Sequence, residues 1–287
     1  MTEGILLYNK EDHQKNIFFA DALTKAGKKL GLQLTLVLTE EAEKNPGEFC
    51  KNAIFAVNRS RRAALAEALE KRGLRVFNAH RVCLIANDKD LTYRFLREGG
   101  ISFLDYTAIP LTGKAKALEN LQNIAADFGY PLVAKPAEGH GGDQVALITE
   151  ESGLITYLKE LSDTPYEKLL FQRVASEPGK DLRVYVLGGR ILAAVLRQGE
   201  NKNDIRANYS LGGKAVRHSL TPEEEKLVRS VTRILPADLT GIDMLYHEGH
   251  PVLNEIEDAV GCRMLYANTD IDVASEYMRY IADIIKQ

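Results

Sequence analysis

Cysteine is scarce and scattered. Cys50, Cys83 and Cys262 are the three thiols in 287 residues, and none belongs to a CxxC pair or a Cys/His cluster. That spacing argues against a disulfide framework and a structural zinc site, and it predicts a reducing, cytoplasmic setting. No apolar run approaches the ~18–20 residues that span a bilayer. The first apolar stretch, Ile5, Leu6, Leu7 and Tyr8, gives way to polar Asn9 and Lys10 too soon for a secretory leader. An excess of one charge is missing too: 37 Lys and Arg against 40 Asp and Glu leave −3, so no global basic field draws the chain to nucleic acid. Neither a membrane nor a nucleic acid is therefore expected as a partner. GxGxxG and GxSxG are absent, and Gly213-Lys214 has Asn208 where the first glycine of GxxxxGK would stand. Dinucleotide binding, an esterase elbow and a P-loop are set aside.

What is present is ordinary globular material, 45% hydrophobic and 27% charged. The length suits two domains or three small ones. Residues 1–85 alternate short apolar strands (4–8, 32–38, 53–57, 75–77) with helices. One helix places Phe19, Ala22, Leu23, Ala26 and Leu30 on a single face, and another spans 61–72 and stops at Gly73. That alternation predicts a mostly parallel sheet. Asp88 is a helix N-cap candidate, and a further helix is expected at 115–128. From Pro131 strands dominate, at 132–137, 145–149, 169–174, 182–187 and 191–196, with Gly188-Gly189 as a two-residue hairpin turn. Thr221, Pro222 and Glu224 form a capping-box start. Strands near 242–246 and 252–256 precede a final helix from about Ile271. The fold class expected is α/β plus α+β.

Near the end of the chain, acids interrupt two apolar strands. Glu255 and Glu257 are two apart and share a face. If the loop between the strands is the three residues Glu248, Gly249 and His250, Asp243 stands opposite Glu255 and three carboxylates converge; a two-residue loop would set Asp243 opposite Asn254 instead. Stacked like charges point to a divalent cation with oxygen ligands, Mg2+ or Mn2+, against the alternative of a solvated acidic strand face. Lys135 closes a buried strand just before Glu138, Gly139, His140, Gly141 and Gly142, an arrangement suited either to phosphate oxygens on backbone N–H groups or to a surface lysine beside a turn. Asp181, Arg183 and Tyr185 alternate onto one face, and Arg206 and Asn208 lie in a polar loop; arginines beside an acidic patch can hold a transferring phosphoryl group or simply salt-bridge a sheet. Arg59, Arg61 and Arg62 follow the third strand, where a substrate carboxylate could be recognised, but a solvated helix start is the favoured reading.

In order, these segments resemble the ATP-grasp superfamily and, within it, the RimK-like carboxylate–amine ligases. The likeness runs from Asn87 to the C-terminus through Asp88-Lys89, the strand ending in Lys135 with its glycine loop, and Gln172-Arg173-Val174. It continues through Asp181 and Arg183, Arg206 and Asn208 with Gly212-Gly213, Asp243, Glu255 and Glu257, and the segment Thr269 to Ala274. The resemblance implies an ATP-grasp fold with an N-terminal parallel α/β domain (1–86), a central small subdomain (87–172) and a C-terminal subdomain with the metal site (173–287). It implies that Lys89, Lys135, Gly139, Gly141 and Gly142 face ATP phosphates, that the backbone at Arg173 and Val174 meets adenine, and that Asp181 contacts the nucleotide. It further implies that Arg206, Arg183 and Asn208 act on the reacting groups, and that Asp243, Glu255 and Glu257 hold Mg2+ (or Mn2+). Two positions depart from the family: Glu257 replaces the usual Asn, and Asp258 to Arg263 replaces a Ser-Pro-Gly turn on the acceptor side.

The activity implied is ATP-dependent amide formation through an acyl phosphate, joining an amine to a carboxylate on a small molecule or peptide. The alternatives are an ATP-grasp ligation with a thiol acceptor or peptide tailoring, and a non-catalytic ATP-binding regulator. A homo-oligomer is compatible with the sequence, which carries no signal of oligomeric state.

Overall fold

A computed structural model describes residues 1–286 except 46, 112–127, 139–143, 162–166 and 200–213. The first strands are β1 (Thr2–Tyr8), β2 (Leu32–Leu38), β3 (Phe55–Asn58) and β4 (Arg75–Phe77), all parallel in the order β2-β1-β3-β4. Between them run α1 (Lys10–Lys15), α2 (Ile17–Lys29), α3 (Thr39–Ala42) and α4 (Ala63–Glu70). The apolar period of α2 buries Phe19, Leu23 and Ala26, as the spacing predicts, with Ala22 and Leu30 partly buried and Ala20 buried in addition.

Then come α5 (His80–Ala86) and α6 (Lys89–Arg97), the latter capped by Asp88, whose carboxylate accepts from the Leu91 N–H at 3.0 Å. A small antiparallel sheet follows, β5 (Tyr106–Pro110), β6 (Leu132–Pro136), β7 (Ala146–Ile148) and β8 (Lys168–Arg173), in the order β5-β8-β6-β7, with α7 (Glu151–Glu160) packed on it through Leu154 and Tyr157. The larger antiparallel sheet comprises β9 (Lys180–Leu187), β10 (Arg190–Gln198), β11 (Lys214–His218), β12 (Leu239–His247) and β13 (His250–Glu257), in the order β11-β10-β9-β12-β13. The helices after it begin with α8 (Pro222–Ile234) and end with α9 (Arg263–Asn268) and α10 (Val273–Ile285).

The two faces of the large sheet meet different partners. Leu182, Val184, Val186, Ile242, Met244 and Ile256 pack under α5, α6 and α8. On the opposite face Tyr185, Leu187, Ala193 and Val195 join Phe19 and Leu23 of α2 and Tyr277 and Met278 of α10 in one core. The remainder of that second face is charged, and it is the floor of the site described below. No helix among the described residues is long and apolar enough to cross a membrane.

The expected strands recur with bounds shifted by a few residues, while five helices (α1, α3, α5, α7, α9) and the strands β5 and β11 are not among the elements expected from sequence, although Leu154, Tyr157, Leu158 and Leu161 give α7 a regular helical period. The helix expected at 115–128 falls, except at its last residue, outside the described residues. One expectation is corrected outright. Arg59 does not begin a solvated helix: it is 2% exposed, its guanidinium lies 5.0 Å from the Phe19 ring and donates to the Val260 carbonyl at 2.7 Å. The planar, weakly hydrated guanidinium lets an arginine stack within an aromatic core where a lysine would not. Arg61 has φ +57°, so α4 starts only at Ala63.

The capping box at α8 is present in full. The Thr221 hydroxyl accepts from the Glu224 N–H, and the Glu224 carboxylate accepts from the Thr221 N–H at 2.7 Å. Thr221→Ala is expected to cost about 1 kcal/mol, read as a lower urea midpoint with an unchanged slope.

Candidate active site

The site begins with a hairpin register. The turn between β12 and β13 is two residues, Glu248 and Gly249, with φ of +52° and +80°, and His247 pairs with His250. Two positive-φ residues match the twist of the flanking strands. By itself this turn would set Asp243 opposite Asn254, the arrangement that disperses the acids. A β-bulge intervenes. Met244 pairs with Leu253 but Asp243 pairs with Glu255, leaving Asn254 as the extra residue. The convergence expected of a three-residue loop is thus reached by a tight turn plus a bulge. Gly241 stands opposite Glu257, and a Cβ there would lie 3.7 Å from Arg183 Cδ and only 2.6 Å from Val260 Cγ2. Glycine at this position lets Val260 pack directly on the strand, while the contact with Arg183 would be an ordinary one.

A second hairpin repeats the device. Leu187 pairs with Arg190 across Gly188-Gly189, the two-residue turn expected, and a register shift between Ile191 and Ala193 then brings Arg197 opposite Asp181. Without that shift Arg197 would face Lys180. Across β12 and β9, Asp243 pairs with Arg183 and Leu245 with Asp181. Period-two alternation and these registers place Asp181, Arg183, Arg197, Asp243, Glu255 and Glu257 on one face.

Their contacts are dense. Asp243 is fully buried: Oδ1 accepts from Arg183 Nε at 2.8 Å, and Oδ2 accepts from Arg183 Nη2 at 2.6 Å and Arg197 Nη2 at 2.7 Å. Arg183 Nη2 also reaches Glu257 Oε1 at 2.7 Å, and Arg197 forks onto both oxygens of Asp181. Burial acts to raise the Asp243 pKa, and Arg183 and Arg197 outweigh it, holding the carboxyl at about 2. Burial pushes Asp181 the other way, to about 6. Glu255 and Glu257 are the half-buried members, and one oxygen from each of Asp243, Glu255 and Glu257 lies within 4.8 Å of the others. Oxygen-only donors at that spacing fit a hard divalent cation.

Two lysines arrive from elsewhere. The Lys89 N–H donates to the Ala137 carbonyl at 3.0 Å, which sets the start of α6 beside the end of β6, and Lys89 Nζ lies 3.1 Å from Glu255 Oε2. Lys135, on β6, is 5% exposed, and its Nζ donates to Asn254 Oδ1 at 3.1 Å. Burial, then the neighbouring Lys89, lowers the Lys135 pKa to about 7, with Glu255 opposing. Against burial, Lys89 keeps the Glu255 carboxyl below its ordinary value. Lys168 braces this junction, with Nζ at 2.6 Å from Asp88 and 3.1 Å from Asp90.

Of the residues singled out from sequence, Lys89, Lys135, Asp181, Arg183, Asp243, Glu255 and Glu257 are therefore brought together. The Arg173 side chain is exposed and paired with Asp105 at 3.0 Å, and Val174 lies half-buried on the connection between the two antiparallel sheets; the adenine contact expected there is one of their backbone and rests on the resemblance. Gly139, Gly141, Gly142, Arg206 and Asn208 lie outside the described residues. Sequence reading missed Arg197 and gave the Asn254 side chain no role, although Asn254 opens the segment of likeness Asn254-Glu255-Ile256-Glu257. A polar residue at the end of an apolar strand was the one available signal for Arg197; where the Asn254 amide points follows from a bulge.

Comparison with known proteins agrees with this architecture. A probable alpha-L-glutamate ligase of Parasynechococcus marenigrum (strain WH8102) is 29% identical over 212 residues, covering 74% of this chain but only 44% of that protein. This chain thus spans under half the length of that relative. The crystal structure of a D-alanine–D-alanine ligase from Bacillus anthracis, complexed with ATP, aligns with a TM-score of 0.78 at 16% identity, over 99% of this chain and 97% of that one. A RimK-domain ATP-grasp protein from Sphaerobacter thermophilus aligns at 0.74 and 18% identity, over 97% and 99%. The fold is that of ATP-grasp ligases. The family model of the RimK-like ATP-grasp domain matches residues 86–281, a span that contains every strand and both lysines of the site, and the chain belongs to the RimK-like ATP-grasp family.

Proposed function

We propose that this chain is an ATP- and Mg2+-dependent ligase that joins a carboxylate to an amine, with an amino acid or short peptide among its substrates. The observation that carries the reading is the meeting of three acids from one hairpin with two lysines from other elements. Family membership and the names of the relatives support it. In this reading a substrate carboxylate oxygen attacks the γ-phosphorus, the bond to the bridging oxygen breaks and ADP leaves. The amine nitrogen then attacks the acyl carbon, inorganic phosphate departs and the nitrogen loses a proton, leaving an amide.

Asp243, Glu255 and Glu257 would hold the cation (Mn2+ being the alternative to Mg2+), and when bound it offsets the repulsion between the phosphate tail and the attacking carboxylate. Lys89 and Lys135 would face the phosphates. A Lys135 amine near neutrality gains its proton when an anion settles beside it, so nucleotide binding above pH 7 is accompanied by proton uptake at Nζ. Arg183, tied to Asp243 and Glu257, keeps two acids in place. Arg206 and Asn208, together with the loop of Gly139, Gly141 and Gly142, are assigned to the reacting groups and the phosphates by the resemblance.

The test is a screen for ADP and phosphate release with ATP and Mg2+ against paired amino acids and short peptides, followed by mass spectrometry. The expected product weighs the sum of both substrates less one water. ATP binding with no ADP release for any carboxylate and amine pair would replace the ligase with a regulatory nucleotide binder.

A further inference from the structure

Asn254 touches both halves of the site through different atoms. Its side-chain Oδ1 accepts from Lys135 Nζ, which has no other hydrogen-bond acceptor among the described residues. Its backbone carbonyl accepts from the hydroxyl of Tyr93, which lies on α6 one turn beyond Lys89. Tyr93 is itself fixed, fully buried, stacked on Phe103 at 4.8 Å and tilted against Tyr106 at 4.9 Å. Asn254 is also the residue that the bulge frees from cross-strand pairing, immediately before Glu255. An ordinary strand residue at this point would pair with β12 and present its side chain to one face or the other. As the bulged residue, Asn254 points its amide at the lysine of the neighbouring sheet.

We propose that Asn254 is a positioning residue: it ties the lysines of α6 and β6 to the acids of β13 and so fixes the distance between the two charge groups. The proposal rests on the reading that these lysines face nucleotide phosphates. A lysine whose ammonium is held at one point meets a phosphate without losing further rotamer freedom; released, it pays that entropy on binding. The energetic effect should therefore appear only with ligands that carry phosphates.

The experiment measures binding of MgATP and of adenosine to the full chain by calorimetry. Asn254→Leu removes the acceptor at similar volume, and Asn254→Ala removes it without added bulk. Both are expected to weaken MgATP by about tenfold, the fold-change of one hydrogen bond to a charged group, with adenosine changed by less than about twofold. Asn254→Asp, which keeps an oxygen acceptor in place, is expected to stay within about threefold of wild type for MgATP. In a Lys135→Ala background, Asn254→Leu is expected to add less than about twofold, because the partner it positions is gone. Equal losses for MgATP and adenosine, additivity with Lys135→Ala, or unchanged MgATP affinity in both Asn254→Leu and Asn254→Ala would each overturn the proposal. A wild-type chain that binds no MgATP would instead overturn the nucleotide reading beneath it.

Discussion

Glu255→Gln is expected to lower Mg2+-dependent ADP release by about 10²–10³-fold, the loss seen when one preorganised electrostatic contact to a reacting group is removed. The substitution keeps the shape and an acceptor oxygen for Lys89 Nζ, now 3.1 Å from Glu255 Oε2, while deleting the charge. Because Glu255 is only half-buried and lies outside the apolar clusters, circular dichroism and the melting temperature should change little. Lys135→Ala should depress turnover comparably by removing the other pole of the site. Turnover retained in both variants would reject the site assignment, whereas loss of folded signal in both would leave only a structural role for the pair. Raising Mg2+ should partly restore Glu255→Gln and do nothing for Lys135→Ala, which separates a weakened cation site from a weakened phosphate contact.

Arg197→Leu should have the largest effect on stability, about 3–5 kcal/mol, because it leaves Asp181 and Asp243 buried with fewer counter-charges. Arg197 is 5% exposed, Asp181 6% and Asp243 0%, so water cannot screen the loss. Urea denaturation checks this directly. Removing the acid as well, in Asp181→Leu/Arg197→Leu, should recover part of the stability, since the penalty comes from stranded charge and not from a missing attraction. The acid limb gives a second reading. The Asp243 pKa is lower folded than unfolded, so its ionised form contributes stability that is complete above about pH 4 and is lost as pH falls toward 2. Taking away one of its two guanidiniums raises that folded pKa, so the acid transition of Arg197→Leu should begin at higher pH. An unchanged urea midpoint would show that the buried network is relaxed or hydrated.

Much of this site is legible in the order of residues. Alternation puts Glu255 and Glu257 on one face and groups Asp181 with Arg183, because the side-chain period of a strand is two whatever surrounds it. Turn chemistry is legible as well at Gly188-Gly189, which closes β9 onto β10. What fails is the step from turn to register. The β12–β13 turn is Glu248-Gly249 and not the three residues whose length would have aligned the acids. Both hairpins gain one residue within the strands, at Leu192 and at Asn254, and each gain slides the outer pairs by one position. A bulge needs no glycine or proline to announce it; the shifted pairings join Arg197 to Asp181 and turn Asn254 toward Lys135, favourable contacts that exist only between strands distant in sequence. Arg59 fails for a related reason. Its neighbours Arg61 and Arg62 look like a hydrated start to a helix, and only the packing of α2 and the segment after β13 around it makes Arg59 an interior residue.

Most of the strands, several helices, the shared face of Glu255 and Glu257 and of Asp181 and Arg183, the capping of α6 and α8 and the family resemblance follow from the amino-acid order alone, because they depend on residues within a turn or two of one another or on short motifs. Which charges meet is a matter of packing. Lys135 comes from a different sheet, Lys89 from a helix start pinned to that sheet, and Arg197 and Asn254 through one-residue shifts in pairing. Electrostatic energy depends on the separation of charges in space, and that separation is fixed only once the two antiparallel sheets and α6 have packed together.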